Sequence, residues 1–310
     1  MTPNNQSPLE ENARDGGETI GGPVGSKLPP GLYLVATPIG NLGDISQRAI
    51  AILRSVDRIA AEDTRVTRRL LSALAIGHKL IERYDDHADA AARSRLLALI
   101  AGGEAIALVS DAGMPLIADP GFKLVRAARD AGLRVSGAPG ASAPVFALAL
   151  SGLPSDRFFF VGFLPTKRGA RRSELQALAT IPATLILFEA PSRLAASLAD
   201  MVATLGADRP AAITRELTKL FEEIRPGTLG ALAGFYATSD TPKGEIVVII
   251  GPPVPPAPGI DAQADIDAQL TAALATLSLR DAVAAVAGAT GQPRRLVYAR
   301  ALARANADKG

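Results

Sequence analysis

The sequence predicts an α/β protein with two domains built on parallel-rich sheets, followed by a small C-terminal helical unit. Between Gly31 and Gly251, short Leu-rich or β-branched runs alternate with longer amphipathic stretches, as in sheets covered by helices. Turns rich in glycine and proline follow several of the short runs directly. A proline-rich segment then precedes three Ala-rich helical stretches.

The first predicted domain spans residues 31–143. Its short apolar runs predict strands at Leu32–Ala36, Arg58–Ala61, Ala105–Ser110 and Arg134–Gly137. Helical spacing predicts helices at Asp44–Leu53 and at Phe122–Ala131, the latter stopped by Gly132. Ligands of parallel sheets bind beyond the carboxyl ends of the strands, so the turns after these strands are expected to form a pocket.

The second predicted domain spans residues 144–251. Its strands are predicted at Phe158–Gly162, Thr184–Phe188, Ala211–Thr214 and Glu245–Ile250, and its helices at Arg172–Ala179 and Ser192–Leu205. Residues 252–264 are interpreted as a stiff proline-rich linker. Residues 265–310 are interpreted as a three-helix unit with helices at Ile266–Leu277, Leu279–Ala287 and Arg294–Ala305.

Composition restricts the possible chemistry. The absence of cysteine excludes disulfides, thiolate metal sites and a cysteine nucleophile. Residues 1–30 contain no apolar core of the kind found in signal peptides and are interpreted as a disordered tail. Since the apolar runs are too short to cross a bilayer, the chain is expected to be soluble and cytoplasmic.

Basic residues are clustered although the net charge is only +2. The most compact cluster consists of Lys167, Arg168, Arg171 and Arg172. Such a cluster can contact the phosphates of a nucleic acid, and it can equally be a solvated helix face. We name these four residues as candidates for RNA binding.

The strongest motif is the segment VATPIGNLGDIS at residues 35–46. A strand, a Pro/Gly turn and a helix start bring backbone amides against a nucleotide-like ligand, although a purely structural turn has the same pattern. The segment lacks the GxGxxG spacing of dinucleotide sites, and the chain lacks the P-loop of nucleoside triphosphate hydrolases.

Several carboxylates stand at predicted strand ends. Asp111 follows a strand beside a glycine and is interpreted as a ligand contact, whereas Asp119 is interpreted as the N-cap of a helix entering at Pro120. Glu62-Asp-Thr-Arg65 is either a salt-bridged cap or a substrate-orienting group. His78 and His87 show no metal-ligand spacing and are interpreted as surface residues, and no metal site is expected.

Six motifs occur in one order along residues 31–251. They are VATPIGNLGD at 35–44, EDTR at 62–65, SDAGMP at 110–115, GLP at 152–154 with GFLP at 162–165, FEAP at 188–191, and RELTK at 215–219. This set resembles the ribosomal RNA small subunit methyltransferase I family of the tetrapyrrole-methylase superfamily. The C-terminal helices resemble the helix-turn-helix appendage of that family.

The resemblance implies a two-domain tetrapyrrole-methylase fold that binds S-adenosylmethionine between its domains and forms a homodimer. It implies 2′-O-methylation of a cytidine ribose in the decoding region of 16S rRNA, within the small ribosomal subunit. The positions that match the cofactor contacts of the family are Pro38, Gly40, Asp111, Ala112, Gly113, Met114, Ser142, Ala143, Leu187 and Phe188.

Chemistry at a ribose hydroxyl suggests further candidates. A general base would help to remove the proton, and the candidates are Glu189, Asp63 and Asp44. Lys219 or Arg65 could hold a phosphate or polarise the hydroxyl. Two rival functions remain open: a tetrapyrrole-precursor methyltransferase on the same fold, and a non-enzymatic RNA-binding factor of ribosome assembly.

Overall fold

A computed structural model describes residues 28–85, 90–253 and 260–307. The chain divides into two compact units, with the boundary between Pro253 and Val254. The predicted tail before residue 28, His87 and the centre of the predicted linker lie outside the described residues.

The first sheet is entirely parallel. It has the order β3-β2-β4-β1-β5 and is built from β1 (Gly31–Val35), β2 (Arg58–Ala61), β3 (Leu80–Arg83), β4 (Ala105–Val109) and β5 (Val135–Ala138). The four predicted strands are confirmed to within one residue at each end. The edge strand β3 was not predicted, because its sequence LIER has neither a buried apolar run nor regular alternation.

Helices cover both faces of the first sheet. They are α1 (Gln47–Ser55), α2 (Thr64–Ala73), α3 (Ala90–Ala101) and α4 (Phe122–Asp130). Tyr33 and Val35 of β1 belong to the core on one face, and Leu32 belongs to the core on the other. The helix predicted from Asp44 begins only at Gln47, because residues 42–44 form a 3-10 turn and the Ser46 hydroxyl accepts the Ala49 N–H at 3.1 Å as the N-cap.

The second sheet is mixed, unlike the parallel-rich sheet expected from the sequence. Its order is β6-β7-β10-β8-β9, and its strands are β6 (Phe158–Phe163), β7 (Thr184–Glu189), β8 (Pro210–Arg215), β9 (Glu223–Thr228) and β10 (Ile246–Ile250). Only β6 and β7 are parallel. A connection of seven residues joins β8 to β9, and so short a connection permits only an antiparallel pair.

Helices α5 (Ala143–Ser151), α6 (Arg168–Leu178), α7 (Leu194–Leu205) and α8 (Leu229–Thr238) pack around this sheet. Helix α5 contacts β7, β8 and β10, although the chain enters it directly from the turn after β5. It was not predicted, because its sequence APVFALALS is apolar almost all round and lacks helical periodicity. The turn after β5 therefore links the two sheets.

The second compact unit contains α9 (Ile260–Leu274), α10 (Leu279–Thr290) and α11 (Arg294–Ala307), so the three predicted helices are present. Helix α9 begins six residues earlier than predicted, within the segment interpreted as the linker, and ends three residues earlier. Its core includes Leu270, Val283, Val286 and Val297. Within the described residues, no helix is both long and apolar enough to span a membrane.

Candidate functional site

Three turns at the carboxyl edge of the first sheet pack against one another. The Thr37 N–H donates to the Gly113 carbonyl at 2.9 Å, and the Gly113 N–H donates to the Thr37 carbonyl at 3.0 Å. Gly113 has a φ of +84°, and a Cβ there would lie 3.2 Å from Ile39 Cγ2 and 3.6 Å from the Ala141 carbonyl oxygen. The turns after β1, β4 and β5 thus meet at a position where glycine is required.

These turns form one side of a cavity of about 390 Å³, which we call the central cavity. The second sheet supplies the other side, through the ends of β6, β7 and β10. The lining residues are Ile39, Ala112, Ala118, Asp119, Ala143, Phe163, Phe188, Glu189, Ala190, Pro191, Gly244, Glu245, Ile246 and Val247. A largely apolar wall with a few carboxylates is typical of a site for a small organic ligand.

The ten predicted cofactor residues are only partly brought together at this cavity. Ala112, Ala143 and Phe188 line it. The Phe188 ring is packed between Phe160 and Phe163, with centroid distances of 5.2 and 5.4 Å. Pro38, Gly40, Gly113 and Met114 lie in the turns after β1 and β4. Asp111 and Ser142 each line a neighbouring cavity, and Leu187 lies in the core of the second sheet.

The Leu187 side chain points away from the central cavity. Its side chain is fully buried in the core on the opposite face of β7 from Phe188, because successive strand residues point to opposite faces. Only its backbone is available to a ligand in the central cavity.

Asp119 does not cap a helix, so the N-cap interpretation was wrong. The N-cap of α4 is Gly121, with a φ of +130° and no side-chain cap. A Cβ at Gly121 would lie 2.7 Å from Leu108 Cδ2, so the chain turns tightly there. The helix begins at Phe122, as its spacing predicts, and not at Pro120. Asp119 instead lines the central cavity.

A second, more polar cavity of about 630 Å³ lies at the ends of β2, β3 and β4. Asp63 lines it as the N-cap of α2 and accepts the Arg65 N–H at 2.7 Å. The hydrogen bond from the Arg65 guanidinium, at 2.6 Å, holds the pKa of the Asp63 carboxyl well below its usual range. Asp111 joins this group, because its Oδ1 accepts the Asp63 N–H at 3.0 Å.

The Glu189 carboxylate is buried and engaged at both oxygens. Oε1 accepts the Ala190 N–H at 2.8 Å and lies 3.3 Å from Arg193 Nε, and Oε2 accepts the Ser197 hydroxyl. A carboxylate held in this way at the end of β7 positions the following turn. Both oxygens of this carboxylate therefore already have protein partners, although the residue lines the central cavity.

Lys219 joins the first turn to the second sheet. Its ammonium group lies 2.8 Å from Glu216 and 3.1 Å from Glu245, and its stem packs on Gly40, where any Cβ would overlap it. Burial alone would lower the pKa of Lys219, but hydrogen bonds to the two carboxylates outweigh burial and raise it. The ammonium therefore stays charged at the border of the central cavity.

The predicted RNA-binding cluster is organised by a buried carboxylate. Asp200 of α7 accepts hydrogen bonds from Arg171 at 2.6 Å, Arg172 at 2.7 Å and Arg168 at 3.2 Å. The Arg171 side chain is only 6% exposed, whereas those of Arg168 and Arg172 are 72% and 43% exposed. An RNA contact by Arg171 would break a buried ion pair, so its geometry favours a structural role.

Sequence reasoning did not assign several residues that line the central cavity. Phe163, Gly244 and Ile246 are examples, and each lies at the end of a strand in the second sheet. The motif GFLP and the segment Lys243-Gly244-Glu245 were visible signals at two of these places. In the described ranges, no group of three or more His, Asp or Glu side chains is arranged to hold a metal ion.

Comparisons with known proteins agree with this geometry. The family Tetrapyrrole (Corrin/Porphyrin) Methylases matches residues 31–233, and the RsmI C-terminal HTH domain matches residues 260–305. A ribosomal RNA small subunit methyltransferase I from Mesorhizobium japonicum is 52% identical over 275 residues, covering 89% of this chain and 92% of the relative. Its counterpart from Escherichia coli O157:H7 is 45% identical over 277 residues, covering 87% and 94%.

Solved structures agree at the level of the fold. Uroporphyrin-III-C-methyltransferase from Thermus thermophilus matches with a TM-score of 0.50 and 21% identity, over 71% of this chain and 93% of that one. The converging turns, the two sheets, the C-terminal helices and the high identity to relatives lead to one assignment. The chain belongs to the ribosomal RNA small subunit methyltransferase I family of the tetrapyrrole methylases.

Proposed function

We propose that this protein transfers a methyl group from S-adenosylmethionine to the ribose 2′-hydroxyl of a cytidine in the decoding region of 16S rRNA. Its membership of the family supports the coarser statement, methylation of small-subunit rRNA with S-adenosylmethionine as donor. The finer statement, the ribose of a decoding-region cytidine, is our proposal. The central cavity, in which the three turns and the second sheet meet, supports methyl transfer from a bound small cofactor, and the ordered sequence motifs support the choice of acceptor.

The residues of the central cavity fit S-adenosylmethionine. Ile39, Ala143 and Phe188 provide apolar surface for the adenine, and the Asp119 and Glu245 carboxylates can attract the positively charged amino and sulfonium groups. When bound, the cofactor supplies a methyl group already activated by the charge on sulfur. The chain's own task is therefore to orient the acceptor, an effect worth about 7–11 kcal/mol in favourable cases.

The structure ranks the candidates for a general base, which would add about 10²–10⁴-fold. Glu189 is committed to Ser197, Ala190 and Arg193, and Asp63 is held by Arg65 with a lowered pKa. These contacts argue against proton abstraction by either residue. We infer that Arg65 and Lys219 place phosphate or sugar oxygens, since both carry their charge at the borders of the two cavities.

The RNA surface that we propose consists of Lys167, Arg168 and Arg172 at the start of α6. Arg171 is left out because it is buried against Asp200. We further propose that the protein works as a homodimer in the cytoplasm, without a metal ion, on rRNA within the small subunit. These proposals rest on the resemblance between this chain and its family.

The proposed function can be tested with purified protein and methyl-labelled S-adenosylmethionine. Small ribosomal subunits lacking the modification and uroporphyrinogen are offered separately as acceptors. We expect label only in 16S rRNA, in a dinucleotide that resists alkaline hydrolysis because its 2′-oxygen is blocked. Label on a base would contradict the ribose assignment, label on uroporphyrinogen would favour the tetrapyrrole-precursor alternative, and RNA binding without label would favour the assembly factor.

A further inference from the structure

A third cavity of about 390 Å³ adjoins the central cavity, and its lining includes Ser142 and Asp44, which the sequence named as candidates for cofactor binding and proton removal. Ile39 lines both cavities, so the two are neighbours. The third cavity is an open groove lined by the turn after β1, the turn after β5, the helix α5 and the turn between β8 and β9. We call it the α5 cavity.

The polar groups of the α5 cavity lack partners in the protein. Thr218 Oγ1 is buried and makes no hydrogen bond, and Ser142 occupies the N-cap of α5 without making a cap bond. Among the residues that the structure describes, none pairs with the Asp44 carboxylate. A buried polar atom is normally satisfied, so the unpaired Thr218 Oγ1, beside the half-buried Ser142 and the exposed Asp44 carboxylate, indicates a ligand with hydrogen-bonding groups of its own.

The opposite wall of the α5 cavity is apolar. Val145 and Phe146 are 53% and 38% exposed, although both belong to the first turns of a helix that packs on the second sheet. An aromatic and a β-branched side chain side by side provide the surface on which an unstacked nucleobase packs. The cavity thus combines a stacking wall with three hydrogen-bonding groups.

We propose that the α5 cavity receives the base of the target nucleotide, turned out of its stack, and that Asp44 selects a base with an exocyclic amino group. This inference rests on the proposed function. A carboxylate only accepts hydrogen bonds, so it pairs with the N4 amino group of cytosine and repels the O4 carbonyl of uracil. Asp44 is then a specificity residue that touches the base, while the reaction takes place at the sugar.

The position of the α5 cavity suits this role. The stem of Lys219 packs on Gly40 in the turn that separates Asp44 from the central cavity, and Lys219 Nζ reaches Glu245 of the central cavity at 3.1 Å. A base held beside Asp44 therefore leaves its ribose at the border between the two cavities. The 2′-hydroxyl comes to lie next to the cavity that holds the methyl donor.

The test compares small subunits reconstituted with 16S rRNA carrying cytidine or uridine at the methylated position. For the native protein we expect kcat/KM to favour cytidine by about 5- to 150-fold, the range of one good base contact. In Asp44→Asn the side-chain amide can donate to O4 or accept from N4. The ratio should fall close to one, mainly because methylation of uridine rises.

Two controls and one further variant accompany this comparison. Asp130→Asn changes an exposed carboxylate that forms only an i,i+4 pair with Arg126 and should keep the native ratio. Calorimetry should give Asp44→Asn the native affinity for S-adenosylmethionine, showing that the variant is folded. Phe146→Ala should raise KM on subunits with kcat and cofactor affinity nearly unchanged.

The outcomes separate this inference from the proposed function. If the native protein methylates no ribose in either subunit, the proposed function fails. If it methylates cytidine but Asp44→Asn keeps the native preference, the selection by Asp44 is overturned. An equal loss of kcat on both acceptors would also overturn it and would assign Asp44 to proton removal instead.

Discussion

Backbone strain is concentrated at the candidate site. Five non-glycine residues in the described part of the chain have a positive φ, and four of them are Leu116, Ala118, Glu216 and Thr218. The first two lie in the turn after β4, and the other two lie between β8 and β9. Such conformations cost of order 1–3 kcal/mol each and persist only where the surroundings enforce them. The turns around the central cavity are therefore held in shape before any ligand binds.

Gly244, just before β10, leaves the space that Glu216 of the turn between β8 and β9 occupies. It has a φ of +96°, and the Glu216 carboxylate occupies the space that a Cβ would need. That carboxylate accepts the Glu245 N–H at 3.0 Å and binds Lys219. The bond from Lys219 and that from the Glu245 backbone lower the pKa of Glu216, so the group is ionised at neutral pH.

We predict that Gly244→Ala displaces Glu216 and weakens cofactor binding. The strained backbone and the broken hydrogen bonds of Glu216 should lower the free energy of unfolding by about 1–3 kcal/mol, measured in urea. The dissociation constant for S-adenosylmethionine should rise in calorimetry. Gly234→Ala is the matched control, because a Cβ there meets nothing within 4 Å and alanine favours helix α8. Equal behaviour of the two variants would contradict the role of Gly244.

At the scale of elements, helices α6 and α7 are joined by one buried carboxylate. Asp200 is 2% exposed, and burial would raise its pKa, but the hydrogen bonds from Arg172, Arg171 and Arg168 lower it to about 2. Each arginine would otherwise repel its neighbours. Asp200 thus allows a cluster of positive charge to exist at the start of α6.

We predict that Asp200→Asn lowers the free energy of unfolding by about 3–5 kcal/mol at neutral pH, because Arg171 stays buried without its counter-ion. The loss depends on pH. Since the folded pKa lies below the unfolded value of 3.8, the contribution is complete above about pH 4 and disappears as the pH falls toward about 2. Urea titrations across this range should show that the difference in the free energy of unfolding between native protein and variant becomes smaller as the pH falls. A constant difference would refute the ion-pair explanation.

The exposed members of the same cluster lead to a prediction about RNA. Replacing Lys167, Arg168 and Arg172 by glutamine should reduce the slope of log K against log salt by about 0.7–0.9 for each phosphate that the protein no longer neutralises. Filter binding to small subunits at several salt concentrations measures this slope. Lys123, Arg126 and Arg129, all exposed on α4, provide a matched triple control. If the control triple flattens the slope as much as the α6 triple, the RNA surface lies elsewhere.

For the whole molecule, we propose a division of residues 31–251 after residue 143. Strands β1–β5 precede this point and β6–β10 follow it, while α5 packs on the second sheet. The central cavity lies between the residues contributed by the two parts. A cavity built in this way can change shape when its two walls move relative to each other.

We predict that a chain ending at Pro253 keeps its affinity for S-adenosylmethionine. All residues that line the central cavity lie between Ile39 and Val247, within the first compact unit. Calorimetry on the shortened and full-length proteins should give dissociation constants equal within experimental error. A clear loss of affinity in a folded shortened chain would show that the C-terminal helices support the cavity. Methylation of subunits, measured in parallel, reports whether those helices contribute to RNA binding.

The sequence by itself determined the α/β class, the four strands β1, β2, β4 and β5 of the first sheet, the three C-terminal helices and the family. These features depend on local periodicity, turn residues and ordered motifs, all of which can be recognised in the sequence. Helices α2, α3, α5 and α8 and the strands β3 and β9 were not predicted. The sequences of α5, β3 and β9 lack those local patterns.

Only the tertiary structure decided which polar groups are available for chemistry. Glu189 and Asp44 both follow apolar stretches in family motifs, yet Glu189 is bound by Ser197 eight residues later and Asp44 is not paired within the described chain. Arg171 and Arg172 are neighbours, yet one is buried and the other half exposed. Partners such as Asp200 come from distant parts of the chain. Hydrogen-bond partners, burial and strand direction therefore depend on how the elements pack together. A local sequence pattern does not predict them.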